Sequence, residues 1–126
     1  MRKLFGLFTV MFLIASCSSP AGVTNLNAQE FLQKSQESSV TVIDVRTAGE
    51  FNQGHLANAL NIDVEAGEFE SEIANLDKNA TYAVYCRSGR RSSIAAEKMA
   101  NAGFTSVFNL QSGGFADLAS IGAPTS

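Results

Sequence analysis

Six consecutive residues, Cys86-Arg87-Ser88-Gly89-Arg90-Arg91, set one thiol among three guanidiniums. The thiolate is the reactive form of cysteine, and nearby cations or helix N-terminal amides pull its pKa below the free value of about 8.5. A thiol so placed points to nucleophilic attack on an anionic substrate. Cys86 is the candidate nucleophile, and Arg87, Ser88, Gly89, Arg90 and Arg91 are the candidates for holding the anion. An inert packed cysteine is the plainer reading, but three adjacent arginines argue against it. A basic helix start with no anion is also unfavourable, because the positive end of the helix dipole lies there.

Such a loop needs a strand to feed it and a helix to receive it. Thr81, Tyr82, Val84 and Tyr85 are β-formers and read as a buried strand. Ser92 to Asn101 reads as a helix with Ile94, Ala95 and Met99 on one face, and Gly103 is placed to stop it. A strand that enters a helix through a tight loop aims successive backbone N–H groups inward, which forms an anion cradle.

The rest of the chain supplies a frame. Asn27 to Glu30 fits a capping box, opening a helix to about Gln36 that presents Phe31 and Leu32. Val40 to Val45 reads as a fully buried strand, and Thr47 to Glu50 as a second capping box whose short helix stops at Gly54. Leu60-Asn61-Ile62 is a short strand, and Asp63 to Leu76 is expected to be helical, with Phe69, Ile73 and Leu76 inward and its acids solvated. Ser106 to Leu110 is a last strand, and Gly113-Gly114 opens a terminal helix with Phe115 and Leu118 inward. Helices alternating with short buried strands imply an α/β fold, a mostly parallel sheet covered on both faces. Asp44, Arg46 and Glu50 read as a structural network in which Arg46 and Glu50 pair, and His55 as a residue that fixes a turn.

A chain of 126 residues with 45% hydrophobic content suits one domain. Its first 16 residues read as a leader: Met1-Arg2-Lys3 is a positive start, and Leu4 to Ala15 is an uncharged apolar run too short for a comfortable membrane span. The run ends in Leu13-Ile14-Ala15-Ser16-Cys17, which resembles the lipobox of bacterial lipoproteins. That resemblance implies cleavage before Cys17, lipidation of Cys17 and a lipid anchor in the bacterial cell envelope. Ser18 after the cysteine would favour the periplasm-facing outer membrane in a two-membraned host. Residues 17–24 then form the lipidated N-terminus and linker, 25–122 the folded domain and 123–126 a tail.

With Cys17 lipidated, Cys86 is the one thiol left, so no internal disulfide is possible. One histidine and one thiol cannot build a Cys/His zinc site, and neither a metal nor a cofactor is expected. Twelve acidic residues outnumber nine basic ones, and two of the nine, Arg2 and Lys3, belong to the leader. Nucleic acid is therefore a poor partner. A monomer is expected.

Val23 to Gly122 resembles a single-domain rhodanese, of the thiosulfate sulfurtransferase family. The resemblance is carried by three segments in order. They are Ile43-Asp44-Val45-Arg46 with Glu50-Phe51 and Gly54-His55-Leu56, then the loop Cys86 to Arg91, then Gly113-Gly114. Two departures are visible: Phe115 stands where the family often has tryptophan, and Gln111-Ser112 makes the spacing before Gly113 one residue longer than is common. The resemblance implies a five-stranded parallel sheet flanked by helices. It also implies transfer of a sulfane sulfur from thiosulfate or a similar anionic donor, through a Cys86 persulfide, to a thiol or cyanide. Two alternatives stand beside it. One is a cysteine phosphatase or arsenate reductase of related fold, whose loops resemble this one but are a residue longer. The other is a non-catalytic rhodanese-like module that binds sulfur.

Overall fold

The computed structural model describes residues 20–126, so the leader and Cys17 lie outside the described residues. Among the described residues no helix is long and apolar enough to cross a membrane. The elements in chain order are β1 (Val23–Leu26), α1 (Ala28–Ser35), β2 (Val40–Asp44), α2 (Ala48–Gln53), β3 (Leu60–Asn61), α3 (Phe69–Ile73), β4 (Thr81–Tyr85), α4 (Arg90–Asn101), β5 (Ser106–Leu110) and α5 (Phe115–Ser120).

All five strands are parallel, in the spatial order β1-β5-β4-β2-β3. The middle strand, β4, is buried on both sides from Tyr82 onward, as a parallel sheet sandwiched by helices requires. Its side chains alternate between two cores. Tyr82, Val84 and Cys86 join Phe69, Ile73, Ala95 and Met99 on the face covered by α3 and α4. Ala83 and Tyr85 join Phe31 and Leu118 on the face covered by α1 and α5. The alternation that buries Val84 therefore also turns Cys86, the next residue of that parity, toward α4.

Both capping boxes form: Asn27 and Glu30 exchange backbone-to-side-chain hydrogen bonds ahead of α1, as do Thr47 and Glu50 ahead of α2. Four expectations are corrected. Val23 and Thr24, expected in the linker, belong to β1, which runs alongside β5 with Val23 opposite Val107. The expected tail at 123–126 is part of the fold, since Ala123 is buried and Ser126 and His55 exchange backbone hydrogen bonds. The helix expected over Asp63 to Leu76 contracts to α3, because Asp63 accepts the Glu65 N–H in a local turn and Gly67 takes φ +80°. Ile94 is 42% exposed. The buried stripe of α4 is Ser92, Ala95, Ala96 and Met99, which follows i, i+3, i+4, i+7 and leaves Ile94 outside.

Candidate active site

Cys86 leaves the end of β4 fully buried, and the chain turns back at Gly89, whose φ of +97° is left-handed. The turn brings the Gly89 N–H to the Cys86 sulfur, donating over 3.0 Å. Helix α4 starts at Arg90, two residues before the sequence pattern suggested, and its first buried residue, Ser92, sets a hydroxyl 3.5 Å from that sulfur. Burial pushes the Cys86 thiol up, but the Ser92 hydroxyl and the backbone of Ser92, Ser88 and Gly89 outweigh it and hold the thiol below its ordinary value. Hydrogen bonds of the loop, more than the arginines, thus favour the thiolate.

A second chain segment closes on the loop from behind. A Cβ on Gly114 would lie 2.0 Å from the Arg87 carbonyl oxygen, and the Phe115 N–H donates to the Cys86 carbonyl over 2.9 Å. The segment before α5 thereby clamps the backbone of Cys86.

The three arginines divide. Arg91 donates to both oxygens of Glu50, at 2.6 and 2.9 Å, and its Nε lies 3.6 Å from Glu65. Its charge ties α4 to α2, so of the two roles expected of it, shaping the loop and countering the anion's charge, this pair serves the first. Arg87 and Arg90 are exposed and have no ion-pair partner among the described residues. They line two different clefts. Arg87 lines a cleft of about 440 Å³ with Arg46, Glu50, Gln53, Gly54, Phe115 and Ala116. Arg90 lines one of about 330 Å³ with Ser88, Arg91, Val64, Glu65 and Ile94.

The expected pairing of Arg46 with Glu50 is replaced by another. Arg46 grips the fully buried Asp44 through Nε and Nη2, the latter at 2.7 Å, and also donates to the Gly54 carbonyl. Asp44 is satisfied from a second direction by the Tyr85 hydroxyl at 2.7 Å, which itself accepts the Leu56 N–H at 2.9 Å. Burial, then donation to Asp44, holds the Tyr85 phenol above its ordinary value, so it stays a donor. Because Tyr85 immediately precedes Cys86, this buried network fixes the end of β4. The Arg46 guanidinium also lies 4.7 Å over the Phe115 ring. His55 stands apart from the thiol: its ring stacks on Phe51 with centroids 3.6 Å apart, and Nδ1 meets the Phe51 carbonyl at 2.8 Å.

The Arg91–Glu50 pair has a measurable consequence. The hydrogen bond from Arg91 is the main reason that Glu50 is lowered from 4.5 to about 2. A depressed carboxylate contributes stability above its unfolded pKa and loses it as pH falls through the folded value. Wild type should therefore exceed Glu50→Gln by about 1 kcal/mol at pH 6, allowing for solvent screening of this partly exposed pair. Urea unfolding should show that difference shrinking from about pH 4.5 and gone near pH 2.

Ser92 is the site residue that sequence reasoning missed. Its signal was a hydroxyl in the core-facing stripe of α4, at the spacing of Ala95, Ala96 and Met99 and six residues after the cysteine. Among the described residues no cluster of three or more His, Cys, Asp or Glu side chains could hold a metal ion.

The rhodanese-like domain family model matches residues 27–120, spanning both capped helices, the Cys86 loop and the Gly114 clamp. The chain belongs to the rhodanese-like domain family. Among its rhodanese relatives, the thiosulfate sulfurtransferase PspE of Escherichia coli is 39% identical over 77 residues, 61% of this chain and 72% of that protein. The putative sulfur carrier protein YrkF of Bacillus subtilis is 30% identical over 99 residues, 78% of this chain. The match covers 52% of YrkF, about half that protein's length. A solved structure of a rhodanese with anions from E. coli is 36% identical with a TM-score of 0.56, covering 69% of this chain and 96% of that one. Rhodanese domains thus share this five-stranded parallel α/β architecture.

Proposed function

We propose that the protein is a sulfurtransferase that carries a sulfane sulfur on Cys86, taking it from thiosulfate or a similar small anion and giving it to a thiol or cyanide. The observation that carries this reading is the Cys86 sulfur itself, buried and hydrogen-bonded by the Gly89 amide and the Ser92 hydroxyl in a loop of donors. A thiolate so held attacks the outer sulfur of the donor. The new S–S bond forms as the old one breaks, and its electron pair departs with sulfite. The persulfide's charge then rests on its outer sulfur, where loop amides and the dipole of α4 stabilise it. An acceptor nucleophile takes that sulfur, and Cys86 returns to thiolate. The sulfurtransferase name of PspE, with its 39% identity, supports the same class of reaction.

The test is turnover of thiosulfate and cyanide against phosphate esters and arsenate. Thiocyanate formation, with a covalent adduct on Cys86 of the mass of one sulfur atom, is the expected result. Turnover of the oxyanions alone would favour the phosphatase-like reading, and an adduct without turnover a sulfur-binding module.

Arg87 and Arg90, the two loop arginines without ion-pair partners among the described residues, draw the donor in. Replacing either with alanine should raise KM for thiosulfate about three- to tenfold with little change in kcat. Salt should erase part of that difference, because the Debye length is only about 8 Å at physiological ionic strength. An unchanged KM in both variants would leave the backbone amides as the whole anion site. We also propose that Cys17 carries the lipid that holds the domain to the cell envelope, on the strength of the apolar run and small residues before it.

A further inference from the structure

The Ser92 hydroxyl is surrounded by three acceptors and has one proton to give. Its oxygen is 3.5 Å from the Cys86 sulfur, 3.2 Å from the Gly89 carbonyl and 3.2 Å from the Leu110 carbonyl, and the residue is fully buried. A hydroxyl rotates to suit its strongest acceptor, and hydrogen bonds to charged groups are the stronger ones. When Cys86 is a thiol, its S–H can donate to Ser92, whose own proton then goes to a carbonyl. When Cys86 is a thiolate, the proton turns to sulfur. That turn leaves no gap at Gly89, whose carbonyl also accepts the Ser93 hydroxyl at 2.6 Å and the Ser93 N–H at 3.2 Å.

We propose that Ser92 is a catalytic residue of the sulfur-release step, its hydroxyl turning onto the Cys86 sulfur as that sulfur becomes the leaving group. The inference rests on the sulfurtransferase reading. In the persulfide the charge lies on the outer sulfur, and the inner one is a weak acceptor. As the acceptor bonds to the outer sulfur, the S–S bond breaks and its electron pair moves onto Cys86. The Ser92 proton stays on its oxygen throughout and supplies a hydrogen bond that the persulfide did not have. An interaction stronger in the transition state than in the ground state accelerates the step. Loading is different, because there the same hydrogen bond stabilises the attacking thiolate and must weaken. Ser92 thus favours unloading over loading, which suits a carrier that must give its sulfur up.

The experiment uses the full chain with Cys17→Ser, so that Cys86 is its sole thiol, and compares it with added Ser92→Ala or Ser92→Thr. The pH dependence of Cys86 alkylation, which needs no sulfur donor, reports the thiolate alone. Ser92→Ala should move its midpoint up by about one pH unit, and Ser92→Thr, which keeps the hydroxyl, should restore it. Rapid mixing at a pH above both midpoints separates the half-reactions. Ser92→Ala should slow sulfur discharge to cyanide about threefold, while sulfite release stays equal or quickens, as expected for a more basic thiolate. The remaining charged groups around the loop, Arg87, Arg90, Arg91, Glu50, Glu65, Asp44 and Arg46, are unchanged across the series. An unmoved midpoint, or equal slowing of both half-reactions, overturns the proposal. If alkylation moves as expected but no variant, nor the Ser92 parent, releases sulfite, the sulfurtransferase reading fails and the thiolate contact stands. Should Ser92→Ala not fold, the S–H stretching band of the Ser92 parent at low pH decides: a band lowered by donation to oxygen supports the contact, and a free-thiol band overturns it.

Discussion

Cys86→Ser should remove thiosulfate-to-cyanide turnover by more than about 10³-fold while leaving the fold in place. The reaction needs a polarisable atom that can form and break a bond to sulfur, and a serine hydroxyl at neutral pH is neither ionised nor suited to that exchange. Structurally the change is mild. The serine oxygen can accept the Gly89 N–H that Cys86 accepts at 3.0 Å, and it remains near the Ser92 hydroxyl. The site is fully buried, so a slightly smaller atom leaves a small void, and a loss of about 1 kcal/mol is expected. Steady-state assay, mass spectrometry of thiosulfate-treated protein and thermal unfolding together check this. Wild-type turnover in the serine variant would remove Cys86 from the mechanism.

The second large effect is expected at a residue with no chemistry of its own. Gly114 has a φ of −164°, an extended backbone that any residue adopts, so backbone freedom is not the issue. Space is. An added Cβ would sit 2.0 Å from the Arg87 oxygen, 2.2 Å from the Arg87 carbonyl carbon and 2.4 Å from the Cys86 oxygen. All three are backbone atoms, which cannot swing aside as a side chain does. Gly114→Ala must push the Cys86 loop away from the α5 segment and stretch the Phe115-to-Cys86 hydrogen bond. Overpacking of this kind costs about 3 kcal/mol, a fall in Tm of more than about 10 °C for a domain of this size. A displacement of about 1 Å at the thiol should cost about 10² in kcat as well. Gly49→Ala is the control. It lies in α2, and the nearest atom to its new Cβ is the Thr47 hydroxyl at 3.9 Å, so helix propensity should make it neutral or slightly stabilising. Equal Tm and kcat for Gly114→Ala and wild type would show that the clamp does not set the loop.

What was legible in the chain was what neighbours in sequence decide. The capping boxes Asn27–Glu30 and Thr47–Glu50 span four residues each, so their hydrogen bonds depend on local geometry alone. The same holds for the β4–loop–α4 unit: β-formers, a left-handed glycine and a helical stripe sit side by side and deliver Cys86 to the helix start. The parallel α/β class followed from the alternation of such local signals, and the five-stranded sheet agrees with what the resemblance implied.

Tertiary structure decided which charges and backbones meet across long separations. Arg91 and Glu50 are 41 residues apart, and so are Tyr85 and Asp44; nothing in their spacing says that the first pair ties an arginine of the Cys86 loop to α2. Val23–Leu26 is too short and polar to declare itself a strand, and becomes one because β5 offers it a row of unpaired backbone groups. Ile94 looked apolar enough for the core, but the register of α4 against the sheet gave the buried places to Ser92, Ala95, Ala96 and Met99. That register is set by packing, and it is why the thiolate's nearest side-chain partner is a serine hydroxyl while Arg91 binds Glu50.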